Sequence, residues 1–264
     1  MSELKDGILI LDYGSQYTLL IARRIREMGV YCEVWPCTDN RLDDWIDRGK
    51  APAKGLILSG GPSSVSIPGA PRLKGGLLDF DVPFLGICYG MQLLADAHGA
   101  TVEPADQREY GRTRIVVDQP VGLLHGFDVG EQLDVWMSHG DSVQDLPAGF
   151  ETVAETENGI LAAIADTERE LYGLQFHPEV SHTEEGEAIL ENFAFHVCGC
   201  TDAWNMSDFI ESHVAAIRET VAEDERVICG LSGGVDSSVV AAMLHKAIGD
   251  RLTCVYVNNG LMRH

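Results

Sequence analysis

No run of about 18 consecutive apolar residues occurs in the chain, so no transmembrane helix is expected. The opening stretch, MSELKDGILILDYG, sets one lysine against two acids before its apolar part and runs straight into Asp12 without a small-residue cleavage site. It reads as a first strand rather than a signal peptide. Basic residues are scarce: 19 Lys and Arg face 41 Asp and Glu, a formal charge of −22. A chain of this sign repels phosphate backbones, which argues against non-specific nucleic-acid binding. The acid excess is spread along the sequence and reads as a solvated surface rather than a binding tail. Internal repeats and low-complexity segments are missing as well. The seven cysteines (Cys32, Cys37, Cys88, Cys198, Cys200, Cys229 and Cys254) are odd in number and come without a secretion signal, so reduced thiols in a cytoplasmic protein are expected. Cys198-Gly199-Cys200 has no second cysteine pair or matched histidines beside it and is not read as a zinc site.

Apolar residues make up 45% of the 264, enough for a sizeable core in one large domain, or in one domain and part of another. The first hundred residues alternate strand-like and helix-like segments. GILILDYG, VYCEVWP, GLILSGGP and VPFLGIC are the strands. QYTLLIARRIREMG has Leu20, Ile21, Ile25 and Met28 at helical spacing before a glycine stop, and GMQLLADAHG is a second helix. Continuous apolar strands separated by helices imply an α/β fold: a mixed, mostly parallel sheet covered by helices, with sites gathered at the carboxyl ends of its strands. From about residue 101 to 176 the segments shorten and turns multiply, which suggests an added, partly antiparallel region. EEGEAILENFAFHVCG reads as a closing amphipathic helix, which sets domain limits of 1–198, a linker at 199–206 and a further segment at 207–264. That segment opens on a helix with Ser207 as N-cap and Ile210, Val214, Ile217 and Val221 on one stripe. A strand, a glycine loop and a helix follow in RVICGLSGGVDSSVVAAMLHKAIG, and LTCVYVNNG is one more strand.

A thiol stands at a tight corner in Gly86-Ile87-Cys88-Tyr89-Gly90, between an apolar strand and a helix. This is the layout of a nucleophile elbow with cysteine in place of serine. Glycines allow close backbone approach, the helix dipole favours a thiolate, and free amides at the helix start can bind an oxyanion. Acyl transfer also needs a base and a group to orient it. His177 and Glu179, flanking Pro178 just after a strand, supply both; His139 beside Asp141 is a weaker match. Gly60 and Gly61 end a strand at the same sheet edge and offer a second oxyanion donor.

GGPSSV, GICYGMQ, MSHGD and FHPEV, in that order, resemble the class I (triad) glutamine amidotransferases over about residues 7 to 198. The resemblance implies Cys88 as nucleophile on the glutamine amide, His177 as base and later as acid toward ammonia, and Glu179 as orienter. It implies oxyanion contacts from the backbone N–H groups of Gly61 and Tyr89. Substrate contacts are implied for Gln92 and for Ser138, His139, Gly140 and Asp141. The products are a γ-glutamyl thioester and then glutamate, with no cofactor.

A second loop, Leu231 to Val239, follows a strand and opens a helix, presenting amides and hydroxyls to an anion. It lacks the Gly-Lys-Ser/Thr ending of a Walker loop. SGGVDSS instead resembles the pyrophosphate loop of the N-type ATP pyrophosphatases, which implies ATP contacts from Ser232, Gly233, Gly234, Val235, Asp236, Ser237 and Ser238, with Asp236 at the magnesium end. The two parts together resemble the glutamine-hydrolysing GMP synthetase family, as do LDYGSQYTLLIARRIRE and CVYVNNGLMR. That resemblance implies a cytoplasmic, homodimeric ligase that converts XMP, ATP and glutamine to GMP, AMP, pyrophosphate and glutamate. Val257-Asn258-Asn259-Gly260 departs from the family's usual Val-Asp-Asn-Gly. The sequence stops early in the ATP domain, so residues after about 205 are expected to be disordered, swapped or docked, and this chain to hydrolyse glutamine without making GMP. The rivals are amidotransferases serving carbamoyl phosphate, CTP or anthranilate synthesis, a γ-glutamyl peptide hydrolase, and a catalytically idle glutamine-binding or regulatory module. The loop at 231–238 opposes the first two, and the intact Cys88, His177 and Glu179 oppose the third.

Overall fold

The computed structural model describes residues 3–256, without the side chains of residue 3 and residues 105–109; the departure at Val257 to Gly260 lies outside the described residues. The chain divides into two compact units, Met1–Ala203 and Trp204–His264.

The first unit is built on a nine-stranded sheet in the order β2-β1-β3-β4-β9-β8-β7-β5-β6. The strands are β1 (Ile8–Asp12), β2 (Cys32–Pro36), β3 (Gly55–Leu58), β4 (Phe84–Ile87), β5 (Val102–Val117), β6 (Gln132–Val143), β7 (Glu151–Thr156), β8 (Leu161–Asp166) and β9 (Leu171–Leu174). β2, β1, β3, β4 and β9 run parallel, whereas β9-β8-β7-β5-β6 are joined by antiparallel pairs. The mixed sheet matches the sequence reading, including the shift to antiparallel pairing after residue 101. RTRIVV, residues 112–117, is only the last part of the 16-residue β5, and Asp118 lies just past its end.

Period-two alternation sends neighbouring residues of one strand into different cores. Ile8, Ile10, Ile57, Leu85 and Ile87 pack with Ile21, Ala22 and Ile25 of α1 (Thr18–Glu27) and with Ile189 and Leu190 of α4 (Gly186–Glu191). Leu9, Leu11, Leu56, Leu58 and Phe84 pack on the other face with Leu42 of α2 (Arg41–Asp47) and with Met91 and Leu94 of α3 (Tyr89–Ala97). Helices on both faces leave the strands' carboxyl ends as the open edge of the layer, which is where the cleft lies.

The closing helix is not a single α-helix as expected. After α4, Asn192–Val197 wind as a π-helix, with Cys198 N–H donating to Phe193 O at 2.9 Å. The wider turn coincides with two adjacent side chains, Phe193 and Ala194, both fully buried.

The second unit contains α5 (Met206–Thr220), β10 (Val227–Leu231), α6 (Val235–Ile248) and β11 (Leu252–Tyr256), with β10 and β11 parallel. The N-cap of α5 is Asn205 rather than the expected Ser207. Asn205 is extended, so its Oδ1 accepts from Asp208 N–H at 2.9 Å, while Ser207 already lies in the first turn. Arg218 joins the two helices by donating to Lys246 O and Ala247 O. Apolar side chains stay exposed here, Ile228 at 74% and Val235 at 78%.

Candidate active site

Cys88 sits between β4 and α3 with φ 53° and ψ −105°, a left-handed conformation for a residue bearing a side chain. Such a conformation costs about 1–3 kcal/mol and persists only where the surroundings impose it. The two glycines account for the constraint. A Cβ on Gly86 would lie 2.5 Å from the Gly90 carbonyl carbon, and one on Gly90 would lie 2.2 Å from Leu58 O. The turn therefore closes on itself and α3 packs directly on the β3 backbone. Cys88 N–H is fixed on Leu174 O at 2.6 Å, which joins the elbow to β9. The side chain is 5% exposed, and Sγ lies 3.8 Å from Ser138 O.

His177 follows β9 by three residues and is held by its backbone: its N–H donates to Trp136 O at 3.0 Å, and its carbonyl accepts from Thr183 Oγ1 at 2.6 Å. Thr183 Oγ1 in turn accepts from Trp136 N–H, so β6 and the His-Pro-Glu turn clamp each other. His177 Nδ1 lies 2.8 Å from Glu179 Oε1, with both side chains almost completely buried. Arg24 donates to Glu179 O, and the Tyr17 ring meets the imidazole edge-on at 5.1 Å. Burial alone would lower the His177 pKa. Hydrogen bonds to Cys88 and Glu179 and their negative charge outweigh it and raise the pKa to about 10. Gly60 lies against the same pair: a Cβ there would be 3.2 Å from His177 Cε1 and 3.6 Å from Cys88 Cβ.

Cys88 and His177 open into a cleft of about 560 Å³. Gly61, Tyr89, Gln92, Ser138, His139, Gly140 and Asp141 line the same cleft; of the residues named from the sequence for this site, Gly60 and Glu179 are off its wall, Gly60 against the Cys88–His177 pair and Glu179 behind His177. Tyr89 begins α3, where first-turn amides have no partner inside the helix. Gln92 and His139 are tied inward: Gln92 Nε2 donates to Asp141 O at 2.9 Å, and His139 Nδ1 lies 2.9 Å from the same oxygen. Among the described residues no lysine or arginine lines the cleft. The sequence reading missed Ser15, Gln16, Tyr17, Ser63, Ser64 and Tyr110 on the cleft wall, and Thr183 behind it. The β1–α1 residues were recoverable in principle, since their loop leaves the carboxyl end of a parallel strand. Tyr110 comes from the added antiparallel arm and had no such signal.

In the second unit, Ser232 to Gly234 join β10 to α6, and Val235 to Ser238 form the start of that helix. Gly234 N–H donates to Ser232 Oγ, Ser232 and Ser237 hydroxyls lie 3.0 Å apart, and Ser238 Oγ donates to Gly234 O at 2.9 Å. Val235 and Asp236 fall in the first turn of α6. Among the described residues no three His, Cys, Asp or Glu side chains group around a metal position. A single carboxylate beside a hydroxyl-rich loop fits magnesium that is held mainly by a ligand's phosphates.

The mixed sheet, parallel on the side that carries the cysteine elbow, and the histidine–glutamate pair facing that elbow define an α/β protein with the layout of a cysteine nucleophile elbow. The family described as Glutamine amidotransferase class-I matches residues 9–197, and the chain belongs to it. The family described as NAD synthase matches residues 205–260. The GMP synthase [glutamine-hydrolyzing] of Stenotrophomonas maltophilia (strain K279a) is 53% identical over 261 residues, covering 98% of this chain and 49% of the relative. The chain thus spans about half the length of the curated relatives it matches. A Thermoplasma acidophilum structure described as one component of a GMP synthase is 31% identical at a TM-score of 0.60, covering 73% of this chain and 94% of the other. A glutamine amidotransferase structure from Thermotoga maritima shares the fold at 18% identity and a TM-score of 0.59, covering 75% of this chain and 99% of the other.

Proposed function

We propose that the Cys88 cleft hydrolyses L-glutamine to glutamate and ammonia, and that in the complete protein this ammonia aminates XMP to GMP at an ATP-dependent site to which the 232–238 loop belongs. The observation that carries the first part is the strained elbow holding Cys88 at the start of α3, beside the buried His177–Glu179 pair. Cys88 Sγ adds to the side-chain carbonyl carbon of glutamine. The oxyanion is met by the N–H groups of Gly61 and Tyr89. His177, protonated and oriented by Glu179, gives its proton to the departing nitrogen, so C–N breaks, ammonia leaves and a thioester remains. Neutral His177 then takes a proton from water as the water attacks the thioester, releasing glutamate and restoring Sγ. Without a guanidinium or ammonium on the described wall, the hydroxyls of Ser63, Ser64 and Ser138 and nearby amides meet the substrate carboxylate, and Asp141 meets its ammonium.

Glutamine hydrolysis uses no metal or cofactor in this reading. At the second loop, Ser232 to Ser238 would hold ATP phosphates, and Asp236 would hold magnesium, which screens phosphate charge. The 53% identity to a GMP synthase supports that assignment, as does the NAD synthase match over residues 205–260. The complete protein is read as a cytoplasmic homodimer; the seven free cysteines are consistent with a reducing compartment.

The test is glutamate release from glutamine, with and without XMP and ATP–magnesium. The Cys88→Ala variant should release glutamate at least about a thousandfold more slowly. Release unchanged in that variant would overturn the reading, and a wild-type chain that binds glutamine but releases nothing would be the idle module instead.

A further inference from the structure

Gln175 is completely buried, two residues before His177, and no proposed step uses it. Its Nε2 is buried and finds no partner among the described residues. An unpaired buried donor is costly and calls for a reason. Its Oε1 accepts from Gln92 Nε2 at 3.3 Å. Gln92 lies one helical turn after Cys88, with its own N–H on Cys88 O. The amide of Gln92 has two N–H groups, and both are directed at acceptors, Asp141 O and Gln175 Oε1. The polar atom Gln92 can then offer the cleft is Oε1, an acceptor.

We propose that Gln175 is a positioning residue that locks the Gln92 amide with its oxygen toward the cleft, so that the site selects ligands carrying an α-ammonium group. A flipped Gln92 would offer N–H to that cation and set two donors against each other. Through its two N–H groups Gln92 thereby links Asp141 O to the segment that carries His177. The inference rests on the glutaminase reading, because it assumes that an amino acid enters this cleft.

The experiment compares two thiol reagents on the intact chain. 6-Diazo-5-oxo-L-norleucine carries the glutamine head group and alkylates the thiol through its terminal carbon with loss of N₂. Iodoacetamide carries no head group and loses iodide. Gln175→Met removes the acceptor, and Gln175→Asn draws it back by one methylene. Both should slow inactivation by the diazo ketone about tenfold and leave iodoacetamide alkylation of Cys88 unchanged. Gln175→Glu keeps an oxygen in the acceptor's place and should restore most of the diazo-ketone rate. Unchanged diazo-ketone rates in both loss variants overturn the proposal. So does a parallel fall with both reagents in a variant whose circular dichroism is native, because Gln175 would then serve the thiol in general. If wild type itself takes no diazo ketone at Cys88, it is the glutaminase reading that fails, a result distinct from either.

Discussion

His177 is where burial and charge compete most directly. Desolvation works against its cation, while contacts to Cys88 and Glu179 hold the proton on up to a pKa of about 10. A folded value above the ordinary 6.5 means the chain binds more protons folded than unfolded between the two values. Its contribution to stability is therefore complete below 6.5 and is lost as pH rises through about 10. Urea midpoints measured across that window should fall more steeply for wild type than for His177→Asn; parallel curves would show that the partners do not hold the proton. Part of this site was legible from residue types alone. Cys88, His177 and Glu179 needed only their own short segments to be singled out. Tyr17, which meets the imidazole from the β1–α1 loop, and Thr183, which holds the His177 backbone carbonyl from beyond the His-Pro-Glu turn, needed the folded chain.

Elements place these groups through close backbone contact. α3 lies on β3 because Gly90 has no side chain where Leu58 O approaches. Gly90→Ala should cost on the order of 3 kcal/mol, or push α3 outward and slow thiol alkylation at Cys88. Gly75, with nothing within 4 Å of a Cβ, should accept alanine within about 0.5 kcal/mol. Chemical denaturation of the two variants makes the comparison. Strand and helix order followed from apolar runs and glycine stops, and the parallel half of the sheet followed from that order. The π-helical winding at Asn192–Val197 did not, because the same apolar residues suit an α-helix and the choice was made by what buries Phe193 and Ala194. The cap of α5 moved from Ser207 to Asn205 for a similar reason: both are good capping residues, and only the backbone conformation decides which one is extended.

For the whole molecule, every cleft residue and both buried cores of the nine-stranded sheet belong to Met1–Ala203. A chain cut after Ala203 should fold with a cooperative transition and keep the diazo-ketone reactivity of Cys88 within about twofold of the 264-residue chain. Loss of folding in that fragment would mean that the first unit depends on the second. What the sequence determined by itself was local: a thiol at a glycine corner, an imidazole and a carboxylate two residues apart, a glycine–serine loop opening a helix, and the alternation that assigns side chains to faces. Each of these is written in neighbouring residues, and neighbours constrain backbone dihedrals and periodicity directly. Only the tertiary structure decided that residues 88, 138–141 and 175–179 meet at one edge, and that Gln92 and Gln175 face each other beneath it. Contacts between segments that far apart depend on sheet order and packing, to which the whole chain contributes.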